Sequence, residues 1–492
     1  MYDLYEGKIQ IYPYKVFHVN EKKYIITNAA SAIFEIDDMI MDLISCSGLT
    51  EEEVKNTLEE RYGEDQLKDL IQNLTDNYVI KSNENVKTLQ KIERDLPVVN
   101  SVTLMVCQEC NLRCSYCFGE GGEYKDKGKM SYETGKEAIK FGFENSNQDS
   151  LSIVFFGGEP LIQFELIKKW VTYSNEEASK RNKKVSFAIT TNATLVTDEV
   201  AKLFKENNFN VTISIDGDKE DNDKNRFYSS MRGAYDNIIR GVQKLQQYNV
   251  NVVARGTVTS KNINMMKNWK HLISLGFKSV HFAPAVNLLQ IKDLIQYDKE
   301  DKRMVDYFFE CLRKKDYKSL QKMHNVENYL NRIHNGGMRF TCCGAYVRMI
   351  AVDIKGDIYP CHRFVAMKDM CIGNIYSGWS KEICEKLRKD LYLSNSSCTS
   401  CWAVNLCGGG CPFENYAESK SIRDPSSFTC SSNKKLIDYI ITKYLELDEN
   451  ERNYFFGKYK NEITEDRLLE EEEHKKDERN PKCKPLEEKV WL

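Results

Sequence analysis

Cysteine spacing constrains this chain more than any other feature of its sequence. Cys110, Cys114 and Cys117 stand at C-x3-C-x2-C spacing, and Cys398, Cys401, Cys407 and Cys411 follow at C-x2-C-x5-C-x3-C. Thiols gathered this tightly either form disulfides or hold metal. Disulfide-dense chains are usually small and exported. This one has 492 residues, and its N-terminus, MYDLYEGKIQIYPYK, has no charged-then-apolar leader. A reducing, cytoplasmic setting is therefore expected, with the thiols serving as metal or cluster ligands.

The bulk numbers exclude other classes. Hydrophobic residues make up 41% and charged ones 29%, with a formal net charge of −3. That balance gives no global basic field to draw nucleic acid or anionic lipid. No apolar run approaches the ~20 residues of a membrane span. Neither a nucleic acid nor a membrane is expected as a partner.

Periodicity divides the chain. Residues 1–85 read as a small unit: two β-rich runs, KIQIYPYKVFHV and KKYIITNA, a third strand in AIFEID, then three helices. Thr50 and Glu53 form a capping box at the start of the second helix. Strands followed by three short helices predict a winged-helix-like module. From 100 to 300, apolar strands at 101–106, 151–156, 185–190, 211–215, 251–258 and 279–283 alternate with helical patterns. Strict alternation predicts an α/β fold with a parallel sheet, here a partial (β/α)6 barrel whose site lies at the strands' C-terminal ends. A helical bridge is expected at 301–339, a cysteine-rich unit organised by clusters at 340–432, and a helix with a charged tail at 433–492.

The first motif, Cys110-Asn-Leu-Arg-Cys114-Ser-Tyr-Cys117, follows the first barrel strand. Three thiolates can hold three irons of a [4Fe–4S] cube and leave the fourth open. A zinc site with Cys107 as fourth ligand is the competing reading, since structural zinc is four-coordinate. The motif, with aromatic Tyr116 before its last cysteine, resembles the signature of the radical S-adenosylmethionine (SAM) superfamily. Gly157-Gly158-Glu159-Pro160 after the second strand looks like that family's GGEP motif. The resemblance implies a SAM-binding cluster on Cys110, Cys114 and Cys117, and a methionine amine held at Glu159 beside the glycine pair. By the same resemblance Ser214 and Asp216 would reach the ribose and Arg226 the SAM carboxylate. Thr190, Thr191 and Asn192 would line the pocket with Tyr116.

Downstream, Cys343 is followed by twelve residues, Gly356, four residues and Cys361; the four-cysteine run and Cys430 come after. This pattern looks like the SPASM domain, a twin-cluster extension of peptide and protein maturases. The resemblance implies one auxiliary cluster on Cys398, Cys401, Cys407 and Cys430 and another on Cys343, Cys361 and Cys411, three [4Fe–4S] clusters in all. Adjacent Cys342 is the candidate fourth ligand of the second. If it does not reach, an open iron could take a substrate thiolate.

The N-terminal module resembles the PqqD-like domains that bind a leader peptide by β-augmentation, here at an edge near residues 32–37. A DNA-binding winged helix shares the topology, but EEEVKNTLEER and EDQLKDL carry as many acids as bases, a poor surface for phosphate. Together the three parts resemble the sactipeptide and ranthipeptide maturases, which form thioether cross-links in cysteine-rich precursor peptides and draw electrons from an external reductant, flavodoxin or ferredoxin. Carbon–carbon peptide cyclases share all three modules. Sulfatase-type formylglycine maturases carry an aspartate after the second motif cysteine, where this chain has His362. Asp216 and His362 are the candidate catalytic side chains.

Overall fold

The computed structural model describes residues 3–30, 32–89, 96–336 and 339–458. The N-terminal unit is a three-stranded antiparallel sheet, β1 (Tyr14–Val19), β2 (Lys22–Thr27) and β3 (Ile33–Ile36), followed by helices Asp38–Ser45, Glu51–Tyr62 and Glu64–Asp76. The Thr50–Glu53 capping box forms, each side chain bonding the other's backbone N–H. Ile25, Leu43, Val54 and Ile71 close a separate small core. β3 pairs with β2 on one side and with no strand on the other among the described residues.

The central sheet is built by β4 (Ser101–Gln108), β5 (Gly128–Lys129), β6 (Ser150–Gly157), β7 (Lys184–Thr191), β8 (Asn210–Ser214), β9 (Val252–Val258) and β10 (Ser279–Pro284). Six of these run parallel in the order β10-β9-β8-β7-β6-β4, and short β5 pairs antiparallel with the end of β4. Helices fill the crossovers, capped where the sequence supplies a hydroxyl: Ser131 accepts from Thr134 N and Thr197 from Val200 N. On β6, Leu151, Ile153 and Phe155 are buried against the helical layer, and Ser152, Val154 and Phe156 turn the other way. Phe155, Phe187 and Phe209 stack at 5.3–6.3 Å under that layer. β4 is buried along nearly its whole length, as a parallel strand covered on both faces should be.

The boundary expected at 340 does not separate two cores. After helices Ile291–Arg313, Tyr317–Leu320 and His324–Asn335, strand β11 (Met349–Val352) pairs in parallel with β4. Strands β12 (Asp357–Tyr359), β13 (Gly373–Asn374) and β14 (Gly378–Trp379) continue the sheet antiparallel. Ile350 and Val352 therefore share one apolar core with Val102 and Leu104.

Helix Ser427–Leu445 packs on Ile291–Arg313, and the turn after Glu449–Asn453 buries Phe455 against Phe308, ring centroids 5.8 Å apart. The strongly charged run and Cys483 lie outside the described residues. The N-terminal unit docks on the cysteine-rich region. Lys15 pairs with Asp438, Phe17 meets Trp402 edge-on at 6.0 Å, and Asn28 bonds both Thr399 and Asn405. Among the described residues no helix is long and apolar enough to cross a membrane.

Candidate functional site

The loop after β4 carries Cys110, Cys114 and Cys117 and is tethered along its length. Arg113 N donates to Phe227 O (2.7 Å), and Ser115 binds Asn225 through both its backbone N–H and its hydroxyl (2.9 Å each). Asn111 joins Thr194 (2.8 Å) and Asn192 (2.9 Å) beyond the end of β7. The sulfurs of Cys114 and Cys117 lie close enough to that of Cys110 to oppose its ionisation. Burial pushes the Cys110 thiol up to about 12 and the Cys114 thiol up to about 11. A cationic centre offsets that penalty, because a coordinating thiol is deprotonated outright. Three soft sulfurs with no disulfide among them suit an iron–sulfur cluster. Cys107 does not join them: it is fully buried, and its thiol donates to Glu159 O (3.1 Å).

Glu159 is 1% exposed and is reached by no cationic side chain among the described residues. One carboxylate oxygen accepts from Leu161 N (3.0 Å) and Thr191 Oγ1 (2.6 Å), the other from Asn192 N (2.7 Å). Burial outweighs these three donors and raises the carboxyl to about 7. A buried carboxylate without a counter-charge is suited to an ammonium, so the residues fit the amine of SAM. Of the candidates at the end of β7, Asn192, just past the strand, contacts Glu159 through its backbone. Thr190 turns to the other face, beside Thr212, and Thr191 makes the hydroxyl contact.

The glycine pair has a packing reason. A Cβ on Gly157, at φ +137°, would overlap Cys107 O, and one on Gly158 would overlap Glu109 O. The glycines let the end of β6 lie directly on the cysteine loop. Gly158→Ala is expected to cost about 1–3 kcal/mol, as overpacking usually does, and to lower iron uptake by displacing Cys110. A urea-denaturation midpoint and an iron assay measure the two effects.

Asp216 and Arg226, expected to serve separate parts of SAM, meet each other. Asp216 is fully buried. Its oxygens accept from Arg226 Nη2 (3.0 Å), Thr257 N (2.9 Å) and Tyr116 Oη (2.7 Å). Arg226 lies 5.3 Å from the Tyr116 ring centroid, with Nη1 4.0 Å from Cys114 Sγ and Nε unpartnered. Asp216 thus orients Tyr116 and Arg226 beneath the cysteine loop and offers no exposed surface, and only Arg226 retains a free donor. Ser214 is half-buried, at the C-terminal end of β8.

The downstream cysteines form two groups. Cys398, Cys401, Cys407 and Cys430 lie within electrostatic reach of one another, Cys430 from the first turn of helix Ser427–Leu445. Cys343, Cys361 and Cys411 form the second group. Cys342 belongs with it, its sulfur 3.8 Å from that of Cys343, to which it donates and whose ionisation it favours. His362 lies between the cysteine loop and the barrel interior, its ring 4.3 Å from Phe156 and 6.3 Å from Phe118. Burial, then Arg363 and Arg255, push it down to about 4, so it is a neutral imidazole. Arg363 bridges Glu414 (2.9 Å) and Cys411 Sγ (3.6 Å). Cys46, Cys311 and Cys384 are buried in apolar surroundings.

Sequence reasoning passed over Arg255, the one charge inside the run NVVARGTV. It stands on β9, exposed, with Tyr297, Arg363 and Glu414 within electrostatic reach.

Residues 104–273 match the model of the Radical SAM superfamily. An uncharacterized protein of Methanocaldococcus jannaschii is 32% identical over 273 residues, 55% of this chain and 87% of that protein. A cysteine-type anaerobic sulfatase-maturating enzyme of Clostridium novyi is 27% identical over 329 residues, 61% of this chain and 84% of that enzyme. Among solved structures, native anSMEcpe with bound AdoMet and Cp18Cys peptide shares the fold, with a TM-score of 0.59 and 24% identity over 71% of this chain and 98% of that one. The matched segment, the cysteine loop after the first parallel strand and the buried glutamate after the second agree: the chain belongs to the radical SAM superfamily, whose chemistry runs on S-adenosylmethionine and a [4Fe–4S] cluster.

Proposed function

We propose that the chain is a radical SAM maturase that forms thioether cross-links in a ribosomally made, cysteine-rich peptide. The observation that carries this reading is the joining of three features in one body. A three-thiol loop stands beside a buried unpaired glutamate, two further thiol groups follow downstream, and an open-edged β-sheet is docked on the segment that carries Cys398, Cys401 and Cys407.

SAM and the cluster, when bound, supply a 5′-deoxyadenosyl radical. The chain's part is positioning. Cys110, Cys114 and Cys117 hold the cluster, Glu159 takes the SAM ammonium, and the Asp216–Arg226–Tyr116 unit fixes the wall beneath it. Ser214 and Asn192 line the same pocket. The free edge of β3 takes the leader as an added strand. Neutral His362 faces the interior beside Phe156, a weak base placed to orient the peptide thiol, whose proton passes to solvent. The cross-link removes one hydrogen atom from the acceptor carbon and one proton and one electron from the thiol. Sulfur and carbon join; Cys343, Cys361, Cys411 and Cys342, and Cys398, Cys401, Cys407 and Cys430, would each hold an auxiliary cluster, and such a cluster would supply the one-electron acceptor that the step requires. A flavodoxin or ferredoxin supplies the electron that cleaves SAM.

Formylglycine formation is the second reading, and it has the activity named for the Clostridium novyi relative in its favour. Carbon–carbon cyclisation is a third. One assay separates them: anaerobic incubation of the reconstituted enzyme, SAM and dithionite with a cysteine-rich peptide encoded beside its gene. Thioether formation loses two hydrogens per ring, retains sulfur and protects the cysteine from alkylation. A carbonyl reactive with hydrazide, with sulfide released, would replace the proposal by formylglycine formation. Loss of two hydrogens with every thiol still alkylated would replace it by carbon–carbon cyclisation.

A further inference from the structure

β8, β9 and β10 are in register so that Ser214 lies beside Arg255 and Arg255 beside His281. The three form a row across the interior face. Arg255 and His281 line a cavity of about 480 Å³ with Thr212, Val253 and Asn325. Arg255 forms no ion pair and no side-chain hydrogen bond among the described residues, although solvent reaches it and protein surrounds it on several sides. Every other charge near it is engaged or of its own sign: Glu414 is paired to Arg363, and Asp216 to Arg226. His281 is turned by Asn325, whose Oδ1 accepts from Nδ1 at 3.0 Å, so Nε2 is left as an acceptor. Burial also disfavours the charged form of His281.

We propose that Arg255, flanked by His281, is a subsite for an acidic side chain of the substrate, an aspartate or glutamate carried close to the reacting residue. This rests on the peptide-maturase reading and deepens it. A guanidinium binds a carboxylate through two parallel N–H···O bonds. An arginine left unpaired beside a cavity has its donors free for such a partner, and two of them match the two oxygens of one carboxylate. The position favours the substrate over SAM. Glu159 and the cysteine loop follow β6 and β4, whereas Arg255 is on β9, with β7 and β8 between. It still lies within electrostatic reach of Tyr116 and His362, so a side chain held there would place its neighbours over the cysteine loop.

The test is equilibrium dialysis of N-acetyl-glutamate amide and of the isosteric N-acetyl-glutamine amide against the anaerobically reconstituted holoenzyme, first without SAM and then with saturating SAM. The acid is expected to bind about tenfold more tightly, the scale of a hydrogen bond to a charged group. Arg255→Gln removes the preference and Arg255→Lys retains part of it. Equal binding of acid and amide to the wild type overturns the proposal without reference to any variant. So does a preference that survives in Arg255→Gln, and so does displacement of the acid by SAM, which would assign Arg255 to the SAM carboxylate. The readout does not depend on turnover. Failure of the peptide assay with the acid preference intact would remove the maturase reading alone, and peptide turnover without the preference would remove the subsite alone.

Discussion

Replacing Cys110, Cys114 and Cys117 together by alanine is expected to abolish SAM cleavage and to remove one third of the bound iron. With three [4Fe–4S] clusters, the anaerobically reconstituted wild type holds about twelve irons and the variant about eight. The triple variant is the informative one, because a single alanine leaves two thiols that can retain a partial cluster. The downstream groups are carried on separate loops, so their iron should be unaffected. Iron and sulfide assays, with 5′-deoxyadenosine quantified after reduction, check both halves. About four irons in the wild type would mean that the downstream cysteines hold no clusters, and the thioether mechanism would lose its electron acceptor.

The second large effect concerns the buried ion pair. Asp216→Leu leaves the Arg226 guanidinium buried without its counter-charge, and Arg226→Met does the same to the carboxylate. Each is expected to cost about 3–5 kcal/mol, the usual result of stripping one partner from a buried pair. Combining them should cost clearly less than the sum, because the double variant buries no unpaired charge. Urea denaturation of the four proteins closes the cycle. Strict additivity would show that the two charges are stabilised independently, Asp216 by Tyr116 and Thr257 alone.

Much of this architecture is written in local patterns. Six apolar runs of strand length, spaced by helical periods, place all six parallel strands. Thr50 and Glu53 mark a helix start with two side chains. β11 is harder to read because Met-Ile-Ala-Val is too short to declare itself, and its partner, Ser101–Leu104, lies far back in the chain. The burial of Phe455 is masked for a similar reason: the charge that follows dominates the local composition, and the ring it packs against belongs to helix Ile291–Arg313. In the site, the C-x3-C-x2-C spacing puts Cys110, Cys114 and Cys117 on one loop, whereas Cys343, Cys361 and Cys411 approach from three separate segments, which no local spacing announces. The roles of Thr190 and Thr191 depend on which face each presents, and a threonine pair at a strand end leaves that parity open. The Asp216–Arg226 pair spans ten positions through a loop and a short helix, a distance over which no periodicity operates.

Parallel pairing of β4 with β11 sets a timetable for synthesis. Ser101 acquires β6 as a neighbour early, but its other edge waits for Met349. At about 5–20 residues per second, that wait is on the order of ten to fifty seconds. Throughout it, the Ser101–Leu104 half of the strand leading into the cysteine loop presents an unpaired apolar edge to everything near the ribosome, a known route to aggregation. Slower growth, cooler expression and an abundant holdase should therefore raise the yield of native chain. Iron delivered before the last third of the polypeptide has emerged would meet a loop whose supporting sheet is still incomplete.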